Sequence, residues 1–452
     1  MAAALALASV LPAAGATEAP SLRAMTLPEA LAFAAGHQPS LLAARARLEA
    51  ARRESELPRG YWYPRVGATL QVLAGTANNS TASYFSTSAM DLPRIGGTKA
   101  TPPTNWGPQA STLAGIGVRQ ELFDFGRISA MSNVFDFAAE AESARADQSR
   151  LDLALLVEEA YLGVHVAKAV LRTADAAEQR VRLHRDLAEA GVKSGLRSPI
   201  ELTRAEADLA RFQVGRVRAA GGVDVSRAVF AAAVGVPDPS LDVAGQPPEP
   251  SPAPPDEARA RAADRDPGVR EAHALRLQQE GITRLVRAEL LPDLTLSAGL
   301  SGRAGGASPT SGAVPWGGGW VPDVPNWDIG LLLSWPIFDA ASLARASASV
   351  ERERQRAAEE DLSRQRSSTL VAVSTESLRV AAEAVPALQR AAQAAAANYE
   401  QAEARFKAGL GSSVELADAE SLRLQAEVEL AVGSFERARA RARLARALAE
   451  GL

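Results

Sequence analysis

The chain contains no cysteine, which excludes disulfide bridges, thiolate metal sites, cysteine nucleophiles and a lipid-modified N-terminal cysteine. Aromatic residues make up only 5% while alanine abounds, a balance that suits long, closely packed helices better than a thick globular core. An excess of one charge is missing as well. The 49 Lys and Arg against 53 Asp and Glu leave a net charge of −4, with no basic surplus to hold nucleic acid and no polyacidic tail. His37, His165, His184 and His273 stand too far apart for a spaced metal motif. There is no H-E-x-x-H, no Walker glycine loop and no nucleophile elbow, and the glycine-rich stretch 299–306 lies at the end of a predicted strand. Nothing points to an enzyme, a cofactor or a metal. Beyond residue 16 no segment reaches the ~20 apolar residues that a spanning helix needs. Any passage through a membrane must be made by strands.

Residues 1–16 form an alanine- and leucine-rich run that ends in Ala14-Gly15-Ala16, a small-x-small pattern that reads as a signal-peptide cleavage site. No Lys or Arg precedes Arg23, so the usual basic start of such a signal is missing. Either the true start lies upstream or the export signal is atypical.

The rest of the chain repeats itself. Pro39 and Pro64 are 25 residues apart, and so are Pro267 and Pro292, with a helical pattern inside each interval. Phe123-Asp124 matches Phe338-Asp339, and 72 residues separate Phe123 from Gly195 against 71 from Phe338 to Gly409. Around those glycines the text recurs: K-S-G-L-R-S-P-I-E-L from Lys193, and K-A-G-L-G-S-S-V-E-L from Lys407. The expected organisation is a first repeat over 17–235, a proline-rich linker over 236–256 and a second repeat over 257–452.

Each half reads as helix, strand, polar loop, strand, very long helix, tight turn, helix. The long helices are expected over about Arg127–Ala190 and Ser342–Ala408. At 1.5 Å per residue each is about 100 Å long, which demands an elongated coiled coil. Pro386 is expected to interrupt the second and to kink it. Gly195 and Gly409 suit the left-handed position that ends a helix, with Lys193 and Lys407 near its negative end. Ser198-Pro199-Ile200-Glu201 then reads as a capping box that opens the next helix, and Ser412-Ser413-Val414-Glu415 repeats it.

Four segments alternate with period two. Val66, Ala68, Leu70 and Val72 share one face; so do Ala114, Ile116, Val118 and Leu122, and so do Leu294, Leu296, Ala298 and Leu300. In the fourth, Trp327, Ile329, Leu331, Leu333 and Trp335 share a face, with the tryptophans about 26 Å apart along a strand. Aromatic ends on an apolar band of about that height are the pattern of a lipid-facing barrel strand, and Tyr61, Trp62 and Tyr63 would add to one interfacial girdle. Loops of roughly 37 and 25 residues, expected to be extracellular, join the paired strands. Four strands cannot close a membrane barrel, whose smallest form has about eight, and open edges in lipid are not tolerated. The expected fold class is mainly α with membrane β: a long antiparallel α-helical coiled-coil barrel plus a transmembrane β-barrel shared between protomers, internally duplicated. Strand arithmetic allows two, three or four chains.

The duplicated units, the proline-rich join and the G-L-x-S tips, with H-Q-P-S-L from His37, Y-P-R-V from Tyr63, L-F-D-F-G-R from Leu122 and W-P-I-F-D from Trp335, together resemble the TolC-like outer-membrane efflux family. The resemblance covers nearly the whole mature chain. It implies a homotrimer with twelve barrel strands among the outer-membrane lipids of a Gram-negative bacterium and a helical barrel in the periplasm. It also implies a periplasmic adaptor protein at the tip loops and an inner-membrane pump behind it. Carboxylates after the second tip constrict the entrance in relatives; the matching positions here are Glu415 and Asp418, with Glu201 in the first tip, where Arg204 stands opposite Asp418. A basic residue that locks one relative corresponds to Gly411. Capping alone also accounts for Glu201 and Glu415. Gly195, Leu196, Gly409 and Leu410 are the expected adaptor contacts, because a tip leucine gains only by burial against a partner. Two further readings stay open: a duct for type I protein secretion, and a soluble periplasmic coiled-coil scaffold. The sequence names neither the substrate nor the pump.

Overall fold

Thr26 opens the first helix by a local exchange: its backbone N–H and its hydroxyl both donate to the Glu29 carboxylate, at 2.8 and 2.7 Å. The contact satisfies polar groups that a helix start leaves without intrahelical partners. In this computed structural model residues 24–76, 107–247, 262–305, 321–322 and 324–450 are described. The leader expected at 1–16, most of both expected strand-to-strand loops and residues 248–256 of the expected linker lie outside them.

The first half comprises β1 (Ala24–Met25), α1 (Leu27–His37), α2 (Pro39–Glu54), α3 (Leu57–Gly60), β2 (Arg65–Thr76), β3 (Pro108–Phe123), α4 (Arg127–Lys193) and α5 (Pro199–Val234), and β4 (Asp242–Val243) follows within the stretch expected as linker. The second comprises α6 (Ala262–Arg265), α7 (Pro267–Ala288), β5 (Asp293–Gly305), β6 (Val324–Ser334), α8 (Ala340–Lys407) and α9 (Ser413–Ala447). Both halves therefore run helix, strand, strand, long helix, helix. The long helices α4 and α8 have 67 and 68 residues. The interruption expected at Pro386 does not occur, for α8 is one helix through it. Proline removes one backbone bond there, and the alanine-rich turns on either side supply the strongest helix propensity to carry the chain across. No described helix is long and apolar enough to cross a membrane.

Residue contacts divide the chain into two compact units, and each draws on both halves of the sequence. Among the described residues, 24–42, 149–247 and 370–450 form the first, and 43–76, 107–148, 262–305, 321–322 and 324–369 the second. The first unit has a core of Met25, Val157, Tyr161, Phe230, Val234 and Leu241, all buried. Tyr161 meets Phe230 edge-on with ring centres 5.9 Å apart, and its hydroxyl donates to the Ala244 carbonyl at 2.6 Å. The parallel pairing of β1 with β4 joins Ala24 to Asp242 and Met25 to Val243. Two residues are too few to show a period, so this pairing escapes a reading of the sequence.

The second unit holds a four-stranded antiparallel sheet in the order β2-β3-β5-β6. Its register fuses the four apolar patterns into one face. Ala68, Ile116, Leu300 and Trp327 form one row across the strands, and Val66, Val118, Ala298 and Ile329 the next. On the other face a row of Gly67, Gly117, Gly299 and Asp328 lies beside one of Thr69, Gly115, Ser301 and Asn326. One expectation needs correcting at the base of β3. A bulge between Glu121 and Phe123 pairs Phe123 with Leu294, so Phe123 takes the row expected for Leu122. An extra residue in one strand shifts every later side chain to the opposite face.

Candidate functional site

Two surfaces of the chain offer themselves to a partner or a solvent other than water. The first is the apolar face of the sheet. Trp327, Ile329, Leu331 and Leu333 of β6 are all exposed, Trp327 at 76%, as are Val66, Leu70 and Val72 of β2, Ile116 of β3 and Leu300 of β5. Trp335 is exposed too but stands one residue beyond the end of β6, so the strand itself holds Trp327, its fourth residue, and the second tryptophan follows it directly. Tyr61 and Trp62 lie exposed in the turn between α3 and β2. An apolar face with glycine, serine and charge on its back is inverted relative to a soluble sheet, and exposed area of this kind marks contact with lipid or protein.

The second surface is the pair of hairpin tips, α4 to α5 and α8 to α9. Gly195 and Gly409 have φ of +72° and +74°, which glycine adopts without penalty. The closing bonds are the same in both. The Leu196 N–H donates to Gly191 O at 2.9 Å and Gly195 N–H to Val192 O at 3.0 Å; Leu410 N–H donates to Arg405 O at 2.9 Å and Gly409 N–H to Phe406 O at 3.1 Å. This double closure satisfies the last carbonyls of each long helix. It leaves Leu196 and Leu410 at the apex, 84% and 76% exposed. Lys193 and Lys407 stand in the last turns of the long helices, as expected, and each also pairs with a glutamate one turn back, Glu189 at 2.6 Å and Glu403 at 2.9 Å.

The predicted capping boxes are overturned in part. Ser198 makes no side-chain cap bond, and Glu201 pairs with Arg197 at 2.8 Å. At the second tip Ser412 accepts from the Glu415 N–H at 3.2 Å, which is half of a box, while the Glu415 carboxylate goes to Arg405 at 3.2 Å. A nearby guanidinium is a stronger partner for a carboxylate than a backbone N–H. Asp418 lies one turn into α9, exposed and with no ion pair among the described residues; Arg204 is likewise exposed.

Behind the tips a buried polar cluster joins the two halves. Arg180 of α4 grips Glu420 of α9 with Nη2–Oε1 at 2.8 Å and Nε–Oε2 at 2.9 Å. Glu420 has no exposed surface, and burial pushes its carboxyl up while Arg180 pulls it down. Tyr399 of α8 lies with its hydroxyl 2.8 Å from His184 Nε2, and the Arg423 guanidinium stands 5.1 Å from the Tyr399 ring centre. Burial, and then the charges of Lys407 and Arg180 against the opposing pull of Glu403, hold His184 below its ordinary pKa. No group of three or more His, Cys, Asp or Glu is placed to hold a metal among the described residues.

Residues 31–236 and 258–450, nearly all of both halves, match the model of the outer membrane efflux proteins. The chain belongs to that family. Outer membrane efflux proteins are channels and not enzymes, so the exposed apolar sheet belongs in the outer membrane of a Gram-negative bacterium and the helical barrel in the periplasm. Membership sets aside the soluble-scaffold reading. Solved outer-membrane channels have the same fold. The Campylobacter jejuni channel CmeC is 14% identical, with a TM-score of 0.78 over 94% of this chain and 86% of that one. VceC of Vibrio cholerae is 19% identical, with a TM-score of 0.74 over 94% and 96%. MtrE of Neisseria gonorrhoeae, solved in its open state, is 20% identical, with a TM-score of 0.71 over 96% and 94%. No curated protein matches the sequence.

In this outer membrane efflux protein, reading the sequence misses Arg197, Arg180, Glu420, His184 and Tyr399. The last four depend on which helix faces lie together, and helical periodicity does not carry that register. Arg197 had a usable signal: it stands where the second tip has Gly411.

Proposed function

We propose that three copies of this outer membrane efflux protein close one twelve-stranded barrel and form the exit duct of a tripartite system that moves small molecules out of the cell. The observation that carries this reading is the sheet with two free edges: among the described residues β2 and β6 each have one neighbouring strand. Lipid does not tolerate an open edge, and the smallest membrane barrels use about eight strands. The sheet supports any ring of two or more copies, and the resemblance to relatives supports three. Each copy contributes two repeats, 17–235 and 257–452, joined by the linker 236–256.

The tips face a periplasmic adaptor coupled to an inner-membrane pump. Leu196 and Leu410, with the turns set by Gly195 and Gly409, are its contacts. The periplasmic entrance is narrowed by carboxylates. Glu201 and Glu415 already carry arginine partners, so Asp418 is the residue with charge to spare. Three aspartates around one axis repel one another and favour cations.

Deleting the chain from its host and measuring both drug susceptibility and the secreted proteins tests the proposal. Increased sensitivity to several unrelated small antimicrobials, reversed by the intact gene, is the expected result. Unchanged sensitivity with the loss of one secreted polypeptide would replace it with type I secretion.

A further inference from the structure

Between α4 and α9, within the first compact unit, lies a cavity of about 330 Å³. Leu162, His165, Val166, Ala169 and Arg172 line it from α4, and their steps of three and four residues set them on one face of that helix. Phe435 and Arg437 line it from α9, and Pro247 joins them from the stretch expected as linker. The walls are mainly apolar, and the titratable groups among them, His165, Arg172 and Arg437, are all basic.

These basic groups lack partners. His165 Nε2 and Arg437 Nε are buried, and neither has a hydrogen-bond partner. Among the described residues Arg172 and Arg437 make no ion pair. Carboxylates in the neighbourhood are already engaged. Asp242 holds Lys168 at 2.6 Å and Arg227 at 2.7 Å, and Asp175, one turn beyond Arg172, holds Arg216 at 2.6 Å. A buried donor without an acceptor is costly, and folded proteins seldom keep one bare. Two of them on one cavity mark a place that an acceptor fills. Burial, with the charges of Lys168 and Arg172, outweighs the pull of Asp242 and holds His165 below its ordinary pKa. At neutral pH the ring is uncharged and can donate from Nε2 to an anion.

We propose that this cavity binds a small organic acid, with one carboxylate held by Arg172, Arg437 and His165 and an apolar body against Leu162, Val166 and Phe435. A guanidinium presents its N–H groups in a fork that fits a carboxylate. The cavity is of the size that small-molecule sites begin at, about 300 Å³, and has their mixture of apolar wall and few polar groups. An inorganic dianion would leave the wall unused and bring a second charge out of water at further cost. The site stands apart from the tips and the sheet, and it requires no particular number of copies.

The test is isothermal titration calorimetry on the purified full chain in a neutral detergent and a chloride-poor buffer. Benzoate is the probe, with benzamide as its uncharged counterpart and inorganic phosphate as the bare anion. The expected result is one benzoate per chain, with benzamide and phosphate at least tenfold weaker. Arg437→Gln and Arg172→Gln should each weaken benzoate about tenfold, the scale of a hydrogen bond to a charged group. Ala431→Leu keeps both arginines but fills the cavity, and should weaken benzoate as much. Without ligand, Arg437→Gln should raise the thermal midpoint, because it removes a cation that nothing in the fold compensates. Helix content by circular dichroism should be the same in every variant. Benzamide binding as tightly as benzoate would show that the arginines hold no anion, and phosphate binding as tightly would show that the apolar wall holds no ligand; either overturns the proposal. So does the absence of benzoate binding, or a lower midpoint in Arg437→Gln with benzoate binding undiminished, which would make Arg437 a structural group.

Discussion

His184 sits between two helices with Tyr399 against its ring nitrogen, and burial makes protonation costly there. An unfolded histidine takes its proton near pH ~6.5. Because the folded pKa is depressed, the stability that His184 contributes is whole above that pH and is lost as the pH falls toward the folded value. The thermal midpoint should therefore drop between neutral and mildly acidic buffer, and part of the drop should disappear in His184→Gln. Arg180 is a second residue of consequence. Removing one partner of a buried pair costs about 3–5 kcal/mol because the other charge is left unsatisfied, so Arg180→Ala should lower denaturant stability on that scale. Glu420→Gln should do less harm. At this scale the sequence is least legible: the glutamates at 201 and 415 were in the right places for capping, but two arginines drawn close by the turn claimed them.

Elements were legible where they are long. The strands and long helices stand where their periods predict, because period two and period 3.6 survive over many residues. The exceptions are local. The bulge at the base of β3 moves Leu122 out of its row, and Pro386 fails to stop α8. Neither outcome is a matter of pattern; the first depends on the neighbouring strand and the second on the helical turns around the proline. The element with the sharpest expected phenotype is β6. Leu331 stands midway between Trp327 and Trp335 on the exposed face, where a membrane strand would meet the middle of the bilayer. An arginine there costs about 2–4 kcal/mol at the midplane. Leu331→Arg should therefore reduce the yield of outer-membrane-inserted protein, measured by fractionation, while Asp328→Arg on the opposite face should be tolerated better.

The whole molecule is a question of edges. If β6 of one copy pairs with β2 of the next, a cysteine at Ile329 combined in turn with one at Val66, Ala68, Leu70 or Val72 should give covalent multimers on oxidation, ending at three chains. The cysteine-free background removes competing bridges. Bands at two or four chains would revise the stoichiometry, and their absence in every pairing would count against the shared barrel.

The duplication, the long helices, the two tips and the alternating strands were determined by the sequence itself, since each is a periodic or repeated feature that needs no knowledge of what lies opposite. The tertiary structure decided the rest. Strand register merged four separate apolar patterns into one face, two residues near the start of the first half paired as β1 with two of the linker as β4, and facing helices brought Arg180 to Glu420 and Arg197 to Phe406. Those contacts join residues from distant parts of the chain, and a local period specifies which face a side chain takes but not which partner meets it.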